Sequence, residues 1–401
     1  MTGTPAPAST GHRHFAADLS SQGAIQGLIV AIVGYASSVA VVIKGLTAVG
    51  ASEAEIASAL LFVGLTMGVA SIILSMRSRM PVSVAWTTPG MALLAATGAV
   101  AGGFPAAVGA FILVGLLVIV AAFWSPLARL IAAIPKSIAN AMLAGVLLKL
   151  CLAPFVALKE LPLTALTILG VWLVMMRFAR LWAVPAAVLV ALGAILVQGG
   201  AANIGGFHLP QPLVIAPRFT VEALFGLALP LFVVTMASQN ITGLAVLSTF
   251  GFRHPMREGL SVTGGLSAIS AIFGAPTINY AAITAALCAG AEAHPDPARR
   301  YIAAVFSGIG YILFTLLAAI AAALVLHASP ILIEAAAGLA LIGAFGGAIK
   351  AATEDEAERL PALLTFLVTA SGLSLFGIGG AFWGLVLGWS VRGLFRFEIR
   401  R

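Results

Sequence analysis

Apolar runs, each near the length that crosses a bilayer, follow one another from residue 23 to residue 395 with only short polar breaks between them. A helix needs about 20 such residues to traverse the hydrocarbon core. The runs are continuous, which excludes the alternating pattern of a membrane β-barrel. Lipid then leaves helices as the way to satisfy every backbone amide. Charge agrees, because only 9% of the residues are charged and 61% are hydrophobic. A soluble domain carries about 25% charged residues, so this chain could not cover a water-facing surface. The expected fold is an all-α polytopic membrane protein.

Spans are expected near 23–43, 56–76, 82–98, 104–124, 136–153, 162–177, 183–198, 221–247, 260–273, 276–291, 301–326, 330–349, 361–375 and 379–395. With the N-terminus inside the cell, the outer side holds only Lys44, Lys149, Lys159 and Arg218, and the other 17 of the 21 basic residues face the cytoplasm. The positive-inside rule reads short loops this way, so both termini are expected in the cytoplasm of a bacterial inner membrane. The net charge of +7 sets topology, and nucleic acid is not an expected partner. The polar tail Met1–Ser20 lacks the pattern of a cleaved signal. Cys151 and Cys288 read as buried inert thiols, and no metal or other cofactor is implied.

Two segments are too polar and too interrupted for ordinary spans. One is Pro81-Val82-Ser83-Val84-Ala85-Trp86-Thr87-Thr88-Pro89-Gly90-Met91-Ala92, and the other is Ile272-Phe273-Gly274-Ala275-Pro276-Thr277-Ile278-Asn279-Tyr280-Ala281-Ala282. Proline suits the first turn of a helix, where its missing N–H would be an orphan anyway. Half-helices are therefore expected to start at Pro89 and at Pro276. The breaks fall in the third span of each half, and seven spans per half would insert the halves upside-down. Paired breaks of this kind mark the midplane site of inverted-repeat transporters. The expected layout is a first repeat over 21–200, a linker over 201–220, a second repeat over 221–395 and a basic tail over 396–401.

Ser238-Gln239-Asn240-Ile241-Thr242-Gly243, Phe273-Gly274-Ala275-Pro276-Thr277-Ile278-Asn279 and Ala293-His294-Pro295-Asp296-Pro297-Ala298-Arg299-Arg300 resemble the benzoate membrane transport family, the bacterial benzoate/proton symporters. That family is distantly similar to the uracil/proton symporters. The resemblance implies a core domain of spans one to four (23–124) and eight to eleven (221–326). A gate domain would hold spans five to seven (136–198) and twelve to fourteen (330–395). It also implies import of benzoate or a similar aromatic carboxylate with protons, by elevator-like movement of core against gate. A homodimer through the gate domains is an assembly open to such a chain. The alternatives are a carrier of another planar or anionic solute, such as a nucleobase, and an anion channel. A membrane enzyme would need convergent His, Asp or Glu within the spans, and almost none lie there.

A planar carboxylate needs an apolar slot and donors for its charge. Two half-helix N-termini would offer free amides and positive dipole ends, formed by Thr87, Thr88 and Gly90 on one side and by Ala275, Thr277 and Ile278 on the other. Gly274 and Ala275 would leave room for the ligand. Trp86, Phe273, Tyr280 and Tyr35 could wall the slot. Gln239 is read as a ligand contact ahead of interhelical glue, Asn240 equally as contact or glue, and Asn279 as a site residue. None of these amides titrates near neutral pH, so a coupling proton falls to Glu222, Glu334, His327, the substrate itself or water. Gly64/Gly68 and Gly380/Gly384/Gly388 read as close helix packing. Glu354-Asp355-Glu356, Glu358 and Arg359 read as a solvated loop, and His294 with Asp296 as a structural or gating loop.

Overall fold

The computed structural model describes residues 15–124, 126, 135–197, 209–281, 283–318, 330–376 and 378–398. Arg13, Arg129, His327, residues 201–208 of the linker and the last three residues lie outside this set. Every expected span has a counterpart. The first is split into α2 (Ser21–Ala36) and α3 (Val39–Ala48) at Ser37-Ser38, after a single turn α1 (Phe15–Asp18). There follow α4 (Glu53–Ser78), β1 (Val84–Trp86), α5 (Thr88–Thr97), α6 (Phe104–Phe123), α7 (Lys136–Glu160), α8 (Pro162–Phe178) and α9 (Ala183–Val197). The eighth span, α10 (Val221–Thr249), contains two π-helical stretches, Leu224–Ala228 and Thr235–Asn240. After it come α11 (Met256–Ser270), β2 (Ile278–Tyr280), α12 (Ile283–Ala289), α13 (Tyr301–Thr315), α14 (Pro330–Thr353), α15 (Arg359–Ala370), the short pair β3 (Ser374–Leu375) and β4 (Ile378–Gly379), and α16 (Gly380–Glu398).

Helices pack in two sets. In one, α13 lies against α2 and α4, and α11 against α6 and α4. In the other, α14 and α15 lie against α7, α16 against α15, and α9 against α8. The small-residue pattern does what it suggested. A Cβ on Gly68 would sit 2.5 Å from the Gly308 carbonyl oxygen, and one on Gly308 would sit 2.6 Å from that of Gly68. The α4 and α13 backbones therefore touch, and a side chain on either would push them apart. Cys151 and Cys288 are free and buried.

Charges cluster at helix ends. Asp18, only 3% exposed, accepts from Arg79 at 2.8 Å and from the Tyr301 hydroxyl at 3.0 Å, so the end of the polar tail is built into the helix ends. Glu358 departs from the solvated reading. It is buried and ion-paired with Arg392 at 2.6 Å, tying α15 to α16. Glu334 also has a partner. It pairs with Lys44 on α3, joining the two helix sets.

Candidate substrate-binding site

The two breaks meet. β1 and β2 pair antiparallel, with Val84 opposite Tyr280, Ala85 opposite Asn279 and Trp86 opposite Ile278. The pairing extends through Thr87 N–H to the Thr277 carbonyl at 3.2 Å and Ala281 N–H to the Ser83 carbonyl at 3.0 Å. Backbone at membrane depth outside a helix is tolerated only where protein encloses it, and this ribbon is enclosed on both outer edges by side chains. On the β1 edge, Val84 N–H donates to Ser71 Oγ at 2.9 Å and Val82 N–H to Ser75 Oγ at 3.1 Å, both from α4. On the β2 edge, Ile278 N–H donates to Ser267 Oγ at 3.0 Å and Tyr280 N–H to Asn240 Oδ1 at 3.0 Å. Asn240 therefore serves as glue, holding β2 to the eighth span.

The first break matches expectation. Thr87 caps α5 by accepting from Gly90 N–H at 3.2 Å, and Pro89 occupies the first turn. The second does not. Pro276 precedes a strand, and the helix begins only at Ile283. Proline favours extended backbone in the residue before it, and β-branched Thr277 and Ile278 with aromatic Tyr280 favour a strand after it. Its counterpart in the first half is thus Pro81, ahead of β1, and the mate of Val84-Ala85-Trp86 is Ile278-Asn279-Tyr280. Ala275, Thr277 and Ile278 are accordingly not a helix N-terminus, and α12 has only 7 residues.

Phe273 and Gly274 sit elsewhere. Phe273 stacks on Phe62 with ring centroids 3.7 Å apart, and its carbonyl accepts from Ser58 Oγ at 3.0 Å. Gly274 ends the helical turn with φ +82°, and a Cβ there would press on Ile215 and Phe104. A larger residue at 274 would strain the backbone, so its effect would not report on a ligand pocket.

Alternation along the ribbon divides the remaining residues. Trp86 and Tyr280 share one face with Val84 and Ile278, while Asn279 shares the other with Ala85. On the first face Tyr35 lies 5.0 Å from Trp86 and 5.2 Å from Phe314, ring centre to ring centre. The Trp86 Nε1–H is committed to Ser38 Oγ at 2.8 Å, at the split in the first span. Among the described residues the Tyr35 hydroxyl is buried without a hydrogen-bond partner, as are Thr277 Oγ1 and Asn279 Oδ1. Thr87 Oγ1 also accepts from Thr235 Oγ1 at 3.3 Å, which brings the second π stretch of α10 against the start of α5. Among the named site residues Thr88, Gln239 and Phe273 are half-buried, and Thr88 and Gln239 lie on those two touching elements.

The opposite end of α5 borders a cavity of about 110 Å³ lined by Thr97, Val146, Glu222, Thr369, Ser374 and Gly380, between the two helix sets. The sequence missed the serines of α4 and α11 as strand partners, because a lone serine in an apolar span carries no signal of what it binds. It also missed His254, described below.

A helical membrane protein with two strand-paired broken spans and unpartnered polar groups beside a helix N-terminus has the anatomy of a secondary transporter. Comparison places it further. The model of the benzoate membrane transport protein family matches residues 17–394, and the chain belongs to that family. It is 38% identical to the inner membrane protein YdcO of Escherichia coli over 365 residues, 91% of this chain and 93% of the relative. It is 31% identical to the benzoate membrane transport protein of Acinetobacter baylyi over 380 residues, 92% and 94% of the two chains. In fold it is similar to the transmembrane domain of a cyanobacterial bicarbonate transporter, BicA, with TM-score 0.58 at 14% identity over 92% of this chain and 97% of the other. The murine anion transporter Slc26a9, inward-facing, gives TM-score 0.53 at 13% identity over 91% and 68%. The family is one of transporters, not enzymes.

Proposed function

We propose that this protein imports benzoate or a similar aromatic carboxylate together with protons, by alternating access. The observation that carries the reading is the start of α5, where a capped helix N-terminus follows Trp86, which packs on Tyr35, and touches the π stretch that holds Gln239. The carboxylate would lie at the Thr88 amide and hydroxyl, drawn by the positive end of α5. The ring would lie against Trp86 and Tyr35, whose hydroxyl has no other partner. Gln239, which makes no hydrogen bond among the described residues, would turn its amide to the ligand. Thr277 and Asn279, on the other face of the ribbon, would shape the site from behind.

The set containing α2–α6 and α10–α13 is the moving core in this reading, and α7–α9 with α14–α16 the gate, which could also form a homodimer. The halves 21–200 and 221–395 would be inverted repeats, with both termini cytoplasmic. Uptake of labelled benzoate by proteoliposomes, with the outside more acidic, tests the proposal. Accumulation that collapses with the pH gradient supports it, and uptake indifferent to the gradient removes proton coupling. The fold shared with a bicarbonate transporter favours a second reading, a small inorganic anion. Uptake of labelled bicarbonate that benzoate does not inhibit would select it.

A further inference from the structure

The turn between the eighth and ninth spans buries a histidine that the site does not use. His254 is 7% exposed although only six residues separate Thr249 from Met256. Its Nδ1 lies 2.8 Å from the Tyr280 hydroxyl, and its Nε2 is buried without a hydrogen-bond partner among the described residues. Tyr280 is fully buried, its amide held by Asn240. Glycine at 259 makes room for it, since any Cβ there would overlap the phenol oxygen. Tyr280 is also the end of β2, adjacent to Asn279 and paired with Val84. The imidazole is thus the outer link of a chain that runs through Tyr280 to the strand ribbon beside the substrate. Of the charged groups around it, Glu258 on α11 is ion-paired at 3.2 Å with Arg77 from α4, Arg257 lies over the Phe123 ring at 4.4 Å, and Arg253 is exposed. The Thr235–Asn240 stretch contributes no charge.

We propose that His254 is a positioning residue that holds β2 in place while neutral and releases it when protonated from the side of the membrane that carries the N-terminus. The inference rests on the reading that the ribbon positions the substrate. In a neutral imidazole that carries its proton on Nε2, Nδ1 accepts a hydrogen bond from the Tyr280 hydroxyl. A second proton on Nδ1 turns that acceptor into a donor, so the phenol O–H is left without an acceptor among the described residues and the anchoring bond must reverse. It also places a charge in a buried pocket where Nε2–H has no partner, which is costly. Burial accordingly pushes the imidazole below its ordinary range, while the nearby Glu258 carboxylate and the Pro255 backbone oppose the shift. A released histidine titrates near 6.5. The anchored arrangement is therefore fully present above that value and is lost as pH falls below it. Acid accumulating on that side would slow the carrier.

The test is counterflow of labelled benzoate in proteoliposomes held at one pH on both sides, so that no gradient contributes. Alongside it, hydrogen exchange of the 278–281 peptide is followed in ligand-free protein and corrected for intrinsic rates. Wild type should lose about fivefold or more of its counterflow between about pH 7.5 and 5.5, the range in which histidine titrates, and exchange at 278–281 should rise in parallel. H254Q, whose Oε1 can still accept from Tyr280, should show neither change. Y280F should carry less substrate at all pH values, with the pH slope gone. The inference fails if H254Q keeps the wild-type slope, or if exchange at 278–281 in wild type is independent of pH. If wild type carries no benzoate at any pH, the proposed function fails, and the exchange measurement alone decides the role of His254.

Discussion

The two broken spans do the same job with unequal means. The first carries its own order: Thr87 caps α5, Pro89 fits the first turn, and Ser71 and Ser75 close the free edge of β1 from the neighbouring span. The second is held from outside. Its helix has 7 residues, and β2 takes its edge partners from Ser267 on α11 and Asn240 on α10, with Tyr280 pinned by a histidine in a loop. The first break is thus a preorganised helix end, suited to fixing a charge. The second is a strand whose place depends on several other elements, suited to responding to them.

That contrast can be broken by mutation. The largest effect is expected at Gln239, whose side chain makes no hydrogen bond among the described residues and whose π stretch bonds to both breaks through Thr235 and Asn240. Loss of a hydrogen bond to a charged group costs about 1.5–3 kcal/mol, so Gln239→Ala should weaken benzoate binding about tenfold to a hundredfold while leaving the melting temperature unchanged. A calorimetric titration that finds equal affinity would return Gln239 to the role of glue. Asn240→Leu should do the reverse. It orphans the Tyr280 amide at a cost of about 1–3 kcal/mol, so thermal stability should drop and exchange at 278–281 should rise. Unchanged exchange there would mean that β2 does not depend on the eighth span.

Thr87→Ala removes the cap of α5, for which about 1 kcal/mol is typical. Because the cap also orients the amides proposed to hold the carboxylate, affinity should fall by about as much as stability, roughly fivefold. A loss of stability alone would place the ligand away from this helix end. The smallest effect is expected at the pair that joins the helix sets. Lys44 and Glu334 are 31% and 29% exposed, and water screens such pairs to about 1 kcal/mol or less. Lys44→Gln should leave binding intact and change the turnover rate by a few-fold at most, read from initial uptake rates.

Much of this architecture is legible without coordinates, for a physical reason. Hydrocarbon demands long apolar runs, and all fourteen leave their mark. The break at Thr87-Thr88-Pro89-Gly90 shows because a cap, a proline and a glycine in that order have one good reading. Pro276 has two, since proline both opens helices and follows extended chain, and only the strand partner decides between them. The split at Ser37-Ser38 and the π stretches of α10 leave no composition signal, because they are set by what packs against them. Phe273 was placed beside the ligand by its neighbours in sequence, whereas the turn at Gly274 sends it to Phe62. His254 carries no signal in the sequence, because the Tyr280 hydroxyl that it meets lies 26 residues further along the chain.

The central claim is that a negative group is recognised at the start of α5. The most direct test is the ratio of affinities of the purified protein for benzoate and for benzamide, which has the same ring and a neutral head. Charge-assisted hydrogen bonds and the helix dipole together favour the acid, and benzoate should bind about tenfold or more tightly than the amide. Equal affinity for the two would contradict the account.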